Sequence, residues 1–284
     1  MSEIPSANEA LCLRALQDTD RDRYLASLLT PADRRAAVVA LYAYSAELAR
    51  VRDLVREPLP GEVRLQYWRD LLEGSAHGET AANPVAAELL SAVQAWRLPV
   101  APLVSMADAR IFDLYDDPME TTAMFEGYAG ETAAALIQLV ALVLDAKAAE
   151  DASEIAGHAG VALAVAGALL LMPIHRARGQ VYLPTQILAS VGLDRETFVS
   201  GTGDERLSAA IQAFAGYGLD HLSKARACGR IPKSLLPAFL PVTLAEPVLK
   251  RATKVGAECL TLDIRPPQWR RQLSMMRLLV TGRL

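Results

Sequence analysis

Along most of the chain apolar residues recur at three- and four-residue spacing, the period of helices that bury one face. Thr30-Pro31-Ala32-Asp33 reads as a helix start, with Thr30 as N-cap, Pro31 at the first helical position and Asp33 in the electropositive first turn. The run behind it sets Val38, Leu41, Tyr42, Ser45, Leu48, Ala49 and Arg52 at helical spacing, and Pro58 with Pro60-Gly61 is expected to end it. A second helix is predicted over residues 62–72, with Leu65, Trp68 and Leu72 on one face. After a polar turn at 74–83, a third opens at Pro84 and reaches Trp96. Residues 102–115, 119–144, 153–171, 207–226 and 237–256 also read as helices, with turn clusters at 116–118, 179–184 and 200–204. No window alternates with period two over the length of a strand, so no sheet is predicted. The expected fold class is all-α. One domain would span residues 1–284, with residues 1–15 loosely ordered and about eight to ten helices in all.

Composition sharpens this reading. Roughly one residue in six is Ala and only 6% are aromatic, a balance that favours close-packed helices over sheets. A net charge of −4 and a pI near 5.7 argue against a dedicated nucleic-acid binder. Cys12, Cys228 and Cys259 stand far apart, without the spacing of a disulfide framework or a zinc site, and fit a reducing compartment. Residues 1–11 carry Glu3 and Glu9 and no basic n-region, which matches neither a secretory signal nor a transit peptide. The expected location is therefore cytoplasmic, with a peripheral position at the inner face of the membrane left open. The apolar run 160–174 is 15 residues long and ends in Met172-Pro173, short of the roughly 20 that a spanning helix needs. A buried helix is expected there and no transmembrane span.

Several segments, taken in order, carry a family likeness. They are Arg23-Tyr24-Leu25-Ala26-Ser27-Leu28-Leu29, Arg34-Arg35 with Ala40-Leu41-Tyr42-Ala43-Tyr44, and Arg64-Leu65-Gln66-Tyr67-Trp68-Arg69. Asn83-Pro84-Val85-Ala86, Tyr128-Ala129-Gly130-Glu131-Thr132 and Gly179-Gln180-Val181-Tyr182-Leu183-Pro184 continue the series. Each segment is weak alone, but the ordered set resembles the squalene/phytoene synthase family from about residue 20 to residue 250. The resemblance implies the isoprenoid synthase fold, a helical barrel around a central apolar cavity. It also implies a chemistry, the head-to-head joining of two prenyl diphosphates such as farnesyl or geranylgeranyl diphosphate. Two Asp-x-x-x-Asp motifs face each other in such enzymes, their carboxylates paired by i,i+4 spacing on a helix. Together they hold Mg²⁺ ions that neutralise the leaving diphosphate.

Both motifs are degenerate here. The two aspartate positions of the first fall on Ala49 and Asp53, with Arg50 and Arg52 crowding the segment. The second belongs between Leu169-Leu170-Leu171 and Val181-Tyr182-Leu183-Pro184. That interval is short by several residues and reads Met172-Pro173-Ile174-His175-Arg176-Ala177-Arg178-Gly179-Gln180. No Asp or Glu occurs from residue 155 to residue 193. No metal ligand set is therefore expected, and Mg²⁺ enters only if the chain is an active enzyme after all. Asp113 with Asp117 and Asp53 with Glu57 have i,i+4 spacing, but Asp117 precedes Pro118, which disfavours a shared helical face. Asp53 with Glu57 reads as an exposed face beside Arg52 and Arg56.

Other residues carry weaker expectations. His175, Arg176 and Arg178 form a basic cluster where the enzymes place acids. They read either as cations at a helix C-terminus or as a contact for an anionic head group or an acidic partner. Tyr42, Glu47, Tyr67 and Tyr128 are candidate binding residues, although Tyr67 and Trp68 also read as core anchors. Glu131, three positions after Tyr128, is divided between a salt bridge and a solvated face. Ser27, Ser45 and His221 have no triad-like neighbours and read as core or solvated residues.

One branch of the family, concerned with assembly of respiratory complex I, shows the same losses. The likeness rests on Glu47-Leu48-Ala49-Arg50-Val51-Arg52-Asp53, Tyr128-Ala129 with Thr132, and Pro173-Ile174-His175 leading to Val181-Tyr182-Leu183-Pro184. Ile231-Pro232-Lys233 with Pro237-Ala238-Phe239-Leu240 completes it. That resemblance implies a non-catalytic factor whose partners are complex I subunits or assembly intermediates, with a lipid or prenyl chain as a further ligand. The opposing reading is an active Mg²⁺-dependent prenyl transferase, and a third is a prenyl-diphosphate carrier without chemistry.

Overall fold

Helices α1 (Ala7–Thr19), α2 (Arg21–Leu28), α3 (Ala32–Leu54), α4 (Pro58–Leu72), α5 (Pro84–Trp96) and α6 (Val100–Ala109) come first in the computed structural model. Next are α7 (Thr122–Ala129), a π-helical turn at Gly130–Ala134, α8 (Ala135–Leu144), α9 (Ala146–Asp151) and α10 (Ser153–Leu170). Short helices α11 (Met172–Ala177), α12 (Thr185–Ser190) and α13 (Arg195–Ser200) precede the long α14 (Glu205–Ala227). After it come α15 (Leu236–Phe239), α16 (Ala245–Val255) and α17 (Gln268–Thr281). The structure describes residues 6–75, 82–201 and 205–284. No strand occurs among them, as the all-α reading requires. The turns expected at 74–83 and 200–204, and the first residues of 1–15, fall partly outside the described residues.

The chain gathers into two compact units, each assembled from three separate stretches. The first comprises Met1–Tyr115, Ala135–Ser153 and Pro232–Leu240. Its centre is α3, whose residues from Ala37 to Ala46 are all buried, so the helix is enclosed on every side. Around it pack α1, α2, α4, α5, α6 and α8. The buried Tyr44 hydroxyl donates to the Leu103 carbonyl at 2.8 Å, and Trp68 meets Tyr44 edge-on with centroids 5.1 Å apart. Two of the three thiols are buried: Cys12 in this unit, and Cys259 in the other. Burial pushes each up to about 11.

The second unit comprises Asp116–Ala134, Glu154–Ile231 and Pro241–Leu284. Here α14 packs along α16, and Gly218 leaves room for the Leu249 and Val165 side chains between them. Gly160 of α10 lies directly on the π-helical turn. A Cβ at that position would stand 2.5 Å from the backbone of Ala134. By length and apolar composition residues Thr122–Leu144 and Ser153–Leu170 would each suffice to cross a membrane. About half of each apolar window is buried inside the protein (56% and 50%), and a core helix passes the same test.

The expected boundaries need several corrections. Thr30 does not cap α3: its hydroxyl is turned back to donate to the Ala26 carbonyl at 3.2 Å, and Pro31 occupies the cap position. Pro58 and Pro60-Gly61 do not end α3, which stops at Leu54. They form the first turn of α4, where a proline's missing N–H has no helical partner to lose. The helix expected from 119 starts at Thr122, because the Thr121 hydroxyl accepts from the Met124 N–H at 3.1 Å, and the π turn interrupts it. The helix expected over 102–115 is shorter, α6 followed by a 3-10 turn at Phe112–Leu114. The stretch 237–256 is broken into α15, a 3-10 segment and α16. Of the segment expected to be loosely ordered, Ala7 onward forms α1, with Cys12 and Leu16 buried.

Candidate functional site

The residues singled out by their resemblance to a synthase site fall mainly in two segments, one in each unit, with Tyr67 on α4, Tyr128 on α7 and Glu131 in the π-helical turn outside them. In the first unit α3 carries Tyr42, Glu47, Ala49 and Asp53. Tyr42 is buried, with the Arg23 guanidinium 5.8 Å from its ring centroid. Its hydroxyl has no hydrogen-bond partner among the described residues, and burial raises its pKa far above the ordinary phenol value. Glu47 forms a part-exposed ion pair with Arg50 at 3.2 Å, the i,i+3 geometry of one helix face. Ala49 and Asp53, one turn apart, are both exposed. Glu57 lies beyond the end of α3, so Asp53 and Glu57 do not share a helical face. Tyr67 is half-buried against Trp68, their ring centroids 5.3 Å apart.

The second segment is held by contacts of a different kind. The His175 ring lies 4.5 Å from that of Tyr182, which in turn lies 5.9 Å from Tyr128. The structure therefore brings together two of the candidates and adds Tyr182. Beside them Met172, Gln180, Phe198 and Phe214 enclose a cavity of about 10 Å³, the space of roughly one water. Arg176 does not serve the end of its own helix. Its Nε donates to the carbonyls of Phe198 at 3.1 Å and Val199 at 2.9 Å, and a terminal amino group binds the Gly201 carbonyl. Those carbonyls close α13, so the guanidinium completes the C-terminus of a helix more than twenty residues away in sequence. Gly179 makes the following turn at a φ of 75°, and its carbonyl accepts from Arg195 at 2.7 Å. Arg178 is exposed, and so is Glu131, which takes the solvated alternative.

A polar cluster in the same unit had no signature in the sequence. His221 is buried on α14, with its Nδ1 3.1 Å from the Nδ1 of His158 and its Nε2 3.5 Å from Glu126. The Tyr217 hydroxyl donates to the same Glu126 oxygen at 2.7 Å. Burial holds His221 below the usual histidine range, while Glu126 pulls the other way. Ser27 is buried and donates back to the Tyr24 carbonyl at 2.7 Å, which decides for the core role over the solvated one.

The Mg²⁺ that the resemblance implies finds no donor set in these residues. The first segment offers Ala49 where a carboxylate would stand, and the second offers an arginine committed to carbonyls. Asp113 is buried and bound by Arg110 at 2.9 Å. Among the described residues no group of three or more His, Cys, Asp or Glu side chains is placed to hold a metal ion.

Residues 16–277 match the profile of the family described as squalene/phytoene synthase. The chain is 33% identical over 245 residues to the protein named NADH dehydrogenase (ubiquinone) complex I, assembly factor 6, of Rattus norvegicus, covering 86% of this chain and 73% of that one. The Homo sapiens protein of the same name gives the same identity and coverage. Among solved structures, a dehydrosqualene synthase in complex with ligand superposes with a TM-score of 0.76 at 18% identity, over 95% of each chain. That likeness is one of fold, the isoprenoid synthase fold.

Proposed function

The chain belongs to the squalene/phytoene synthase family, and from that premise we propose that it is a non-catalytic member supporting assembly of the respiratory NADH dehydrogenase, complex I. The observation that carries this reading is Arg176. In the segment where a synthase needs metal-binding carboxylates, this chain places a cation and spends it on closing α13. The exposed Ala49 removes the opposing charge as well. Similarity to proteins named as complex I assembly factors, over most of the chain, supports the direction of the proposal. Its partners are complex I subunits or assembly intermediates met on the cytoplasmic side of the membrane, and it works without Mg²⁺. The void beside His175 holds about one water, so a prenyl or lipid chain has no room there.

The test is deletion of the gene followed by native-gel analysis of NADH dehydrogenase. Loss of the assembled complex, restored by the wild-type chain, is expected, and normal assembly without the gene would overturn the proposal. Purified protein supplied with Mg²⁺ and farnesyl or geranylgeranyl diphosphate should form no head-to-head product. Product above the no-enzyme control would restore the prenyl transferase reading.

A further inference from the structure

We infer that the outer face of α17 is a docking surface for an anionic lipid membrane. This inference does not depend on the function proposed above. Helix α17 turns Met275 and Leu278 inward, where both are buried. Its opposite side leaves Trp269 at 59%, Leu273 at 62%, Met276 at 49% and Val280 at 83% exposure. These four occupy positions i, i+4, i+7 and i+11. At about 100° per residue they fall within a stripe roughly 60° wide and about 16 Å long. A helix that served only the core would carry polar residues there.

The surrounding charge points to the occupant. From Ile264 to Leu284 the chain carries five arginines and no acid, although the whole protein has a net charge of −4. Arg265, Arg270, Arg277 and Arg283 are exposed. Arg270 and Arg277 stand seven residues apart on one flank of the stripe, about a quarter-turn from its midline. A groove of about 600 Å³ adjoins the same helix, lined by Trp269 and Leu273 together with Arg265, Arg270 and Arg251 of α16, and its arginines outnumber the one acid in its wall, Asp263. Apolar side chains along one line, arginines beside them and a tryptophan at one end suit a helix lying in the headgroup plane. The stripe would enter the acyl boundary while the guanidinium groups stay at phosphate depth. The rim of a protein partner mixes polar groups and both signs of charge, whereas an anionic bilayer presents one sign to this flank, where arginines predominate.

Helix α17 is also held in place. Arg226 of α14 donates its Nε to the Leu284 carbonyl at 2.9 Å, and its terminal nitrogens grip Glu246 at 2.6 and 3.2 Å. The Arg226 and Lys250 partners keep the Glu246 carboxyl at about 2, so this clamp stays charged at neutral pH. The stripe is thus a fixed feature of the surface.

The experiment is flotation of the full chain with phosphatidylcholine vesicles, alone or with about one-third phosphatidylglycerol, at low and high salt. The wild-type chain should float only with the anionic vesicles, and high salt should weaken the binding. Trp269→Ser/Leu273→Ser/Val280→Ser should lose at least about tenfold in partitioning. Arg270→Gln/Arg277→Gln/Arg283→Gln should lose about a hundredfold at low salt, some fivefold for each arginine. All these side chains are exposed, and circular dichroism checks that both variants keep their helix content. Failure of the wild-type chain to float would overturn the inference, as would a stripe variant that binds like wild type. A wild-type dimer that fails to float and becomes monomeric in the stripe variant would also overturn it, assigning the stripe to a second copy of the chain.

Discussion

The segment Glu47 to Asp53 and the segment Leu171 to Tyr182 stand where the family resemblance leads one to expect carboxylate motifs, and they depart from that pattern in different ways. The first keeps its helix. A methyl group at Ala49 stands on an exposed face beside Asp53, and nothing in α3 depends on it. The second has become structure: Arg176 closes α13, Gly179 makes the turn, Arg195 binds that turn, and His175 packs on Tyr182. A missing functional group on an exposed helix face is a side-chain matter, open to reversal. A missing segment whose replacement carries hydrogen bonds of the fold is not.

The largest effect is expected outside both segments, in the packing of α10 on the π turn, where Gly160→Ala should be the most damaging single substitution. The new Cβ would stand 2.5 Å from the Ala134 backbone, which cannot move aside like a side chain. A loss of about 3 kcal/mol or more is expected from the denaturation midpoint. A near-wild-type midpoint would show that α10 and the π turn are not locked together. Arg176→Ala should come next, at about 2 kcal/mol, because three carbonyls lose a charged donor. Arg178→Ala should change stability by less than about 0.5 kcal/mol. Equal losses in the two variants would erase the distinction between a structural and an exposed arginine.

A smaller effect is expected from pH. His221 is held below its ordinary value of 6.5, mainly by burial. As pH falls through the unfolded value, the unfolded chain takes up a proton that the folded chain does not, so stability is full above that point and declines below it. Glu126, His158, Tyr217, Asp220 and Lys224 surround the ring, so His221→Gln provides the control. The decline in urea midpoint on acidification should be shallower in that variant, and an identical slope would remove His221 from the account. The smallest effect belongs to Ala49→Asp, within about 0.5 kcal/mol at an exposed position. The variant should also form no prenyl product with Mg²⁺. Activity appearing from that single change would invert the comparison between the segments.

What was legible in the sequence was local. Pro84 marks a helix start, and in the structure the side chain of Asn83 before it accepts from the N–H groups of Val85 and Ala86 at 3.0 and 3.3 Å. The absence of acids from 155 to 193 was equally plain, because absence needs no geometry. Pro58 misled because a proline fits the first turn of a new helix as well as it ends an old one. The π turn escaped because its one extra residue hardly disturbs the apolar spacing. Long-range partners were out of reach. Nothing near Arg176 announces the carbonyls of α13, and nothing near His158 announces His221, 63 residues on. In sequence, His175, Arg176 and Arg178 therefore look like one group of like residues, whereas the fold divides them into a ring contact, a helix clamp and an exposed side chain.

The placement of the thiols makes the protein addressable by chemistry. Cys12 and Cys259 are buried, whereas Cys228, although its thiol is also raised by desolvation and Glu154, is exposed at the end of α14. A maleimide dye added to the native chain should thus attach once, with no engineering of the other two cysteines. The label would sit two residues from Arg226, which holds the carbonyl of Leu284, so a solvent-sensitive dye there would report on the clamp that fixes the last helix.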